Sequence, residues 1–163
     1  MEHIALPVLD PGETKVVSRE VLEVERLGDG GLRLLHSPAF IWGIAAGDVI
    51  DVDPSVLAGL RLRSRAGNVA VVVALADAAH KSAPPVRKLL GDVASMGGVL
   101  DGGPERMLVF TIPAKAGFGR IESAFDLLQK GLEGATWWYG NVYDRNDRPL
   151  GWWEERESSR SGR

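Results

Sequence analysis

The sequence predicts an α+β fold, in which a small, barrel-like N-terminal β module packs on a ferredoxin-like βαββαβ unit. Three observations support this prediction. Residues 69–75 form a continuous valine-rich run, which is typical of a strand covered on both faces. Two later segments carry apolar stripes at helical spacing, with a hairpin signal between them. The region before residue 68 alternates apolar and polar residues between glycine turns, as short antiparallel strands do.

The pattern divides the chain into consecutive parts, whose boundaries fall at turns or at changes of composition. The last part is charged and rich in Ser and Gly, which predicts disorder. The parts are an N-terminal extension (1–15), the β module (16–67), the ferredoxin-like unit (68–143), a C-terminal hairpin return (144–155) and a disordered tail (156–163).

The β module is predicted as a hairpin followed by two short strands. Leu22 and Val24 alternate with glutamates, and the turn at 28–31 is rich in glycine, which tolerates positive φ. Pro38 ends the second strand, and an apolar connection follows it. The predicted strands cover residues 16–27, 32–34, 49–52 and 60–65.

The ferredoxin-like unit is predicted from the order strand, helix, strand, strand, helix, strand. Pro84 and Pro85 open the first helix, because proline is tolerated in a first helical turn. Each helix carries one apolar stripe that faces the sheet. The stripes consist of Val86, Leu89, Leu90, Val93 and Met96, and of Phe118, Ile121, Phe125, Leu128 and Leu132.

Both faces of the predicted sheet are apolar, but its two helices cover only one of them. Met107 and Val109 point to one side of their strand, whereas Leu108 and Phe110 point to the other. Burial of one large apolar side chain is worth roughly 1.5–3 kcal/mol, so the second face needs a cover. We expect the tethered β module to supply that cover. A second copy of the chain and a ligand are the alternatives.

Four of the five tryptophans lie in two adjacent pairs near the C-terminus. The second pair is predicted to lie alongside the last strand, 136–143, which carries the first pair. Because neighbouring strand residues face opposite sides, each pair should place one ring in the core and one at an edge. Tryptophan and tyrosine are enriched at binding hot spots, although core packing explains such pairs as well. The candidate binding residues are Trp137, Trp138, Tyr139, Trp152 and Trp153.

A crevice between the β module and the α/β unit is the alternative site. Asp48 follows a glycine at a turn, where a carboxylate either bonds backbone amides or serves as an acid in a cleft. His80 and Asp77 share the loop after the first strand of the α/β unit, and such a pair can perform acid–base chemistry. A lone loop histidine is nevertheless more often exposed to solvent. Trp138 would complete the lining.

Composition excludes several classes of site. The chain has no cysteine, which removes disulfides, thiol nucleophiles and cysteine-bound zinc. The histidines are scattered and no phosphate-binding glycine motif occurs, so we expect neither a metal nor a cofactor. A net charge of −3 argues against a nucleic-acid partner. No signal peptide and no apolar run of the required ~20 residues is present. We therefore expect a cytoplasmic protein without a membrane partner.

One segment carries a recognisable pattern: a strand, then Pro-x-Phe-x-x-Gly, then Gly-Asp-Val-Ile. The pattern consists of Pro38, Phe40, Gly43, Gly47, Asp48, Val49 and Ile50. In this pattern the chain resembles a family of small bacterial domains known only as a domain of unknown function. The resemblance covers roughly residues 18–143 and implies no activity, so it assigns no catalytic residue.

The leading functional hypothesis is a non-enzymatic, soluble module that binds a protein partner, as an inhibitor, a regulator or an immunity-type protein. It follows from the acidic charge, the scattered reactive residues and the aromatic C-terminal edge. The alternative is a small-molecule sensor or an enzyme that uses the crevice. A homodimer formed through the open sheet face is a third hypothesis.

Overall fold

A computed structural model describes residues 1–154 of the chain. The prediction of a mixed α+β fold is confirmed, since two antiparallel sheets accompany two α-helices in this range. No helix within residues 1–154 has both the length and the apolar character needed to cross a membrane. The predicted disordered tail, 156–163, lies outside the described residues.

The first sheet contains five strands, ordered as they occur in the chain. Its inner face buries alternating residues such as Leu6, Leu22 and Val24. In the described range the edge strands β1 and β5 do not pair, so the sheet is open and the predicted barrel-like closure is not found. Pro7 of β1 has no N–H to donate toward β5. The strands are β1 (Glu2–Leu9), β2 (Val16–Arg26), β3 (Leu32–Leu34), β4 (Val49–Val52) and β5 (Leu60–Ser64).

The residues predicted as an N-terminal extension, 1–15, contain strand β1. The whole of β1 pairs with β2 in antiparallel register, with one irregularity near its end. Leu6 and Val8 are buried, and Ile4 packs against the same core. Pro7 interrupts the apparent strand in the sequence, but an edge strand tolerates proline because one side of its backbone needs no partner.

The second sheet has four strands in the order β7-β8-β6-β9. Both α-helices lie on one of its faces, where Phe110 and Phe125 meet edge to face with ring centroids 5.3 Å apart. The predicted helical stripes supply most of the helix side of this core, and the strands supply the rest. The elements are β6 (Asn68–Ala74), α1 (Pro84–Ser95), β7 (Val99–Gly102), β8 (Met107–Pro113), α2 (Phe118–Gly131) and β9 (Thr136–Tyr139).

The opposite face of the second sheet lies against segment 36–47 of the N-terminal region. The hydroxyl groups of Ser37 and Thr111 are 2.7 Å apart, and the Asn68 side-chain amide donates to the Ala46 carbonyl at 2.9 Å. These bonds join the turns of the first sheet to β6 and β8. The covered face includes Ala70, Val72 and Val109, all at most 2% exposed.

The C-terminal hairpin return, predicted over 144–155, takes a different form. A single bridge joins Tyr143 to Pro149, and residues 152–154 are helical, so Trp152 and Trp153 do not form a strand beside β9. The reason lies in how Trp152 packs. Its ring is buried and its Nε1 donates to the Asn141 carbonyl at 2.8 Å, which holds the segment against the end of the sheet instead of along β9.

Candidate functional site

A cleft of about 1020 Å³ separates the first sheet from the outer edge of the second. One wall consists of β9 and the turn that follows it. The other consists of the end of β1, the turn after β1 and residues 40–43. Aromatic rings are concentrated in this lining: Phe40, Trp42, Trp137, Trp138, Tyr139 and Tyr143.

Strand β9 presents a free backbone edge to this cleft. The Gly140 N–H donates to the Ala70 carbonyl at 2.8 Å, and the β6–β9 register runs without a shift. Hydrogen-bonded positions alternate along an antiparallel pair, so Trp138 bonds to β6 while Trp137 and Tyr139 point their N–H and C=O groups away from it. Among the residues that the structure describes, no strand pairs with this outer edge.

The opposite wall is a loop, residues 38–43, that holds two aromatic rings in solvent. Phe40 is 43% and Trp42 57% exposed, whereas Pro38 and Ile41 are buried. The Glu20 carboxylate accepts the backbone N–H groups of residues 39 and 40 at 2.7 and 2.9 Å. The loop is therefore anchored at its base while its two large rings stay outside the core.

Two further contacts fix the end of this loop. The Gly43 N–H donates to the Gly140 carbonyl at 2.8 Å, which connects the loop directly to the end of β9. The Arg65 guanidinium donates to the Gly43 carbonyl at 2.9 Å and also lies over the Trp152 ring, 5.4 Å from its centroid. Gly43 has φ +91°, a conformation that side chains other than glycine rarely adopt. A backbone hydrogen bond thus holds the two walls of the cleft together at this end, and the Arg65 side chain supports it.

Carboxylates dominate the polar part of the lining. Five acidic side chains line the cleft, against one basic side chain, in the part of the chain that the structure describes. The basic group, Arg145, pairs with Glu13 at 3.8 Å and donates to the Gly12 carbonyl at 3.3 Å, closing one end of the cleft. The acidic residues are Asp10, Glu13, Glu122, Asp144 and Asp147.

Three of the polar groups have shifted pKa values. Hydrogen bonds from the Lys15 backbone amide and from the Thr14 hydroxyl lower the pKa of the Asp10 carboxyl. Backbone hydrogen bonds, chiefly from Arg148, lower that of Asp144. Burial raises the pKa of the Tyr139 hydroxyl, and so does its hydrogen bond of 2.8 Å to the Glu122 carboxylate. At neutral pH the two aspartates are therefore ionised and Tyr139 is neutral.

The structure brings three of the five predicted aromatic residues into the cleft. Trp137 and Trp138 are half-buried and Tyr139 is almost fully buried, so the three rings form part of one wall. Trp152 is buried in the core. Trp153 packs on Phe118, with ring centroids 4.9 Å apart. Trp152 and Trp153 therefore contribute to the core on the helix face of the second sheet and do not line the cleft.

The residues predicted for the alternative crevice do not converge. The buried Asp48 carboxylate accepts the backbone N–H groups of Ala45 and Ala66, each at 2.9 Å, near the start of β6. Asp77 accepts the Ala79 N–H at 2.8 Å and lies with His80 beyond the other end of β6. Seven residues of strand separate the two places, roughly 20 Å at about 3.3 Å per residue. Of the predicted crevice lining, only Trp138 reaches the cleft.

Sequence reasoning missed the loop residues Phe40 and Trp42 as site residues. They belong to a segment that reads as an apolar connection, without the alternation that assigns inward and outward faces. A signal was present nonetheless, because two large aromatics sit between Pro38 and Gly43, two residue types that interrupt regular secondary structure. No set of three or more potential metal-ligating side chains occurs within residues 1–154, and the cleft lining contains no histidine.

Comparison with known proteins identifies the family but no activity. A solved structure described as a hypothetical protein from Neisseria gonorrhoeae shares the fold, with a TM-score of 0.66 and 16% identity. The match covers 85% of this chain and 93% of that one. No curated protein gives a significant match. A family profile matches residues 20–138, which include β6, all of β9 except its last residue, and the loop that carries Phe40 and Trp42. The chain belongs to the family described as a domain of unknown function, DUF4265.

Proposed function

We propose that this protein is a non-enzymatic binding module that receives a segment of a protein partner in the cleft beside β9. The observation that carries the proposal is the pair of exposed rings, Phe40 and Trp42, on a loop whose backbone is anchored at both ends. Full burial of each ring would be worth roughly 1.5–3 kcal/mol, and the fold leaves about half of that free energy unused, since Phe40 is 43% and Trp42 57% exposed. Exposed, clustered aromatics of this kind are typical of binding surfaces.

The polar groups of the cleft support binding more than catalysis. A general base works best with a pKa near the operating pH, but the pKa values of Asp10 and Asp144 are lowered. Both carboxylates are already engaged with backbone amides of their own turns. The Glu122 carboxylate accepts a hydrogen bond from the Tyr139 hydroxyl, which stays protonated at neutral pH. These groups shape and charge the cleft, and none is arranged as an acid–base pair.

A photocrosslinking experiment in cells tests the proposal. A photoreactive amino acid replaces Trp42 in one variant and Leu127 in the control, since Leu127 is 55% exposed on α2 away from the cleft. We expect a discrete protein adduct from position 42 that is absent from position 127 and is lost when Phe40→Ala is added. A folded protein that gives no adduct at position 42, or the same adducts at both positions, would contradict the proposal.

A small-molecule site is the second candidate function, because the volume of about 1020 Å³ is near the upper end of ordinary ligand pockets. Such a site would use the aromatic lining rather than Asp77 and His80. Native mass spectrometry of the purified protein discriminates the two functions. A small ligand that copurifies with the wild type and is lost from Trp42→Ala would favour this candidate over a protein partner.

We also infer that the second sheet and its helices form a ferredoxin-like unit. The element order βαββαβ and the sheet order β7-β8-β6-β9 support that assignment, because both agree with the pattern of the split βαβ motif. We infer a bacterial, cytoplasmic protein from the resemblance described above and from the absence of cysteine. Cell fractionation with an epitope-tagged chain tests the compartment.

A further inference from the structure

We propose that the segment received by the cleft is an extended, basic peptide that adds to the second sheet as a strand beside β9. This inference deepens the proposed function and depends on it. Three features of the described residues carry it: the free backbone edge of β9, the excess of carboxylates around the cleft, and the division of the lining between the two faces of that strand.

The backbone edge determines the conformation of the ligand. Trp137 and Tyr139 each direct an N–H and a C=O toward the cleft, whereas Trp138 is already bonded to β6. An extended peptide can satisfy these groups with the same ladder that joins β9 to β6. Strand addition of this kind is a common mode of peptide recognition. A helical ligand offers no free backbone groups to such an edge.

The charge of the lining determines the class of side chain. Five carboxylates and one guanidinium line the cleft within the described residues, and Arg145 is already paired with Glu13. Lys and Arg side chains would be attracted to this lining, while an acidic segment would be repelled. Their cations can also lie over the tryptophan and tyrosine rings. A basic segment is therefore the complementary occupant.

The faces of β9 predict how the side chains of the ligand alternate. Tyr139 lies on the helix side, where its hydroxyl meets Glu122 on α2. Trp138 lies on the other side, facing the region that carries Phe40 and Trp42. Successive residues of an added strand point to opposite faces. We therefore expect Lys or Arg at alternate positions beside Glu122 and apolar residues at the positions between them.

Selection from a displayed random-peptide library tests this inference. Wild-type protein is the bait, and a variant carrying Phe40→Ala and Trp42→Ala removes peptides that bind elsewhere. We expect selected peptides to alternate basic and apolar residues, and to lose at least about tenfold in affinity for the double variant. Asp147→Asn should lower the affinity for the selected peptides by about two- to fivefold. The control Glu105→Gln, also at an exposed positive-φ position, should leave affinity unchanged.

Backbone methylation tests the strand geometry. A selected peptide is methylated at alternate amides, in two versions of opposite parity. If the peptide pairs with β9, one version loses at least about tenfold in affinity because its bonds to Trp137 and Tyr139 are blocked. The other version binds as before, because its methyl groups face away from the sheet.

The outcomes separate this inference from the proposed function. Peptides that need Phe40 and Trp42 but lack basic residues, or that tolerate both methylation patterns, would overturn the inference and leave the proposed function standing. A folded protein that selects no peptide dependent on these two rings would overturn both. Dimerisation through this edge, detected by light scattering and abolished by Trp42→Ala, would also overturn the inference.

Discussion

Asp101 joins the two sheets, and its replacement measures how strongly they depend on each other. The residue lies at an irregularity in β7 that turns its side chain inward, leaving only 6% of the side chain exposed. Its carboxylate accepts the Ser37 backbone N–H at 3.0 Å and the Thr111 hydroxyl, and its other oxygen lies 3.5 Å from His36 Nδ1. It thus binds segment 36–47 to the second sheet.

The expected cost follows from these contacts. Asp101→Ala leaves the Ser37 N–H without its acceptor and removes two charge-assisted hydrogen bonds. An unpaired buried donor costs about 1–3 kcal/mol, so we expect a loss of about 3 kcal/mol in the free energy of unfolding. Asp101→Asn keeps one acceptor oxygen for Ser37 and Thr111, and we expect a loss of only about 1 kcal/mol.

Thermal and urea denaturation measure these changes. For a chain of this size a loss of 3 kcal/mol should lower the Tm by about 6–12 °C. Glu25→Ala is the control, because it removes only an exposed ion pair with Arg33 and should change stability little. Equal Tm values for wild type and Asp101→Ala would show that the Asp101 carboxylate does not stabilise the contact between the two sheets. An asparagine variant as unstable as the alanine variant would show that one acceptor oxygen is not enough for Ser37 and Thr111.

Three further predictions follow. Asn141→Leu should lower the free energy of unfolding by about 2–4 kcal/mol, because the buried Asn141 side chain accepts the Ala70 N–H and donates to the Asn68 carbonyl; urea titration measures the loss. The raised pKa of Tyr139 means that folding favours the neutral hydroxyl, so the free energy of unfolding should fall as the pH rises above 10.0, the ordinary pKa of tyrosine. Tyr139→Phe should make this fall less steep. An equally steep fall in the variant would exclude Tyr139 as the cause. Gly103→Ala should destabilise the β7–β8 turn strongly, because a Cβ there would lie 2.4 Å from the Met107 carbonyl oxygen; little change in Tm would contradict the turn geometry.

The apolar framework of the second sheet was predictable because short-range patterns determine it. The valine run became β6, buried on both faces, and Leu89 and Val93 became the buried stripe of α1. The need for a second cover could also be read from the alternation in β8. These signals repeat every two to four residues, so they require no knowledge of the tertiary structure.

The polar junctions and the cleft could not be predicted in the same way. Ser37 and Thr111 meet across 74 residues of sequence, and neither residue type marks a buried contact by itself. The exposure of Trp42 depends on how the backbone of residues 38–43 is anchored by Glu20, far away in the sequence. Trp152 was predicted to lie beside the last strand because the polar residues 144–149 indicate a turn that returns the chain along it. Tertiary packing placed it in the core instead.

Amide hydrogen exchange of β9, measured with and without a peptide selected for the cleft, shows directly whether the peptide pairs with this strand. The Trp137 and Tyr139 amides face the cleft, whereas the Trp138 amide is already bonded to β6. We expect the bound peptide to slow exchange at Trp137 and Tyr139 and to leave exchange at Trp138 unchanged. Saturating peptide that leaves exchange at Trp137 and Tyr139 as fast as in the free protein would contradict it.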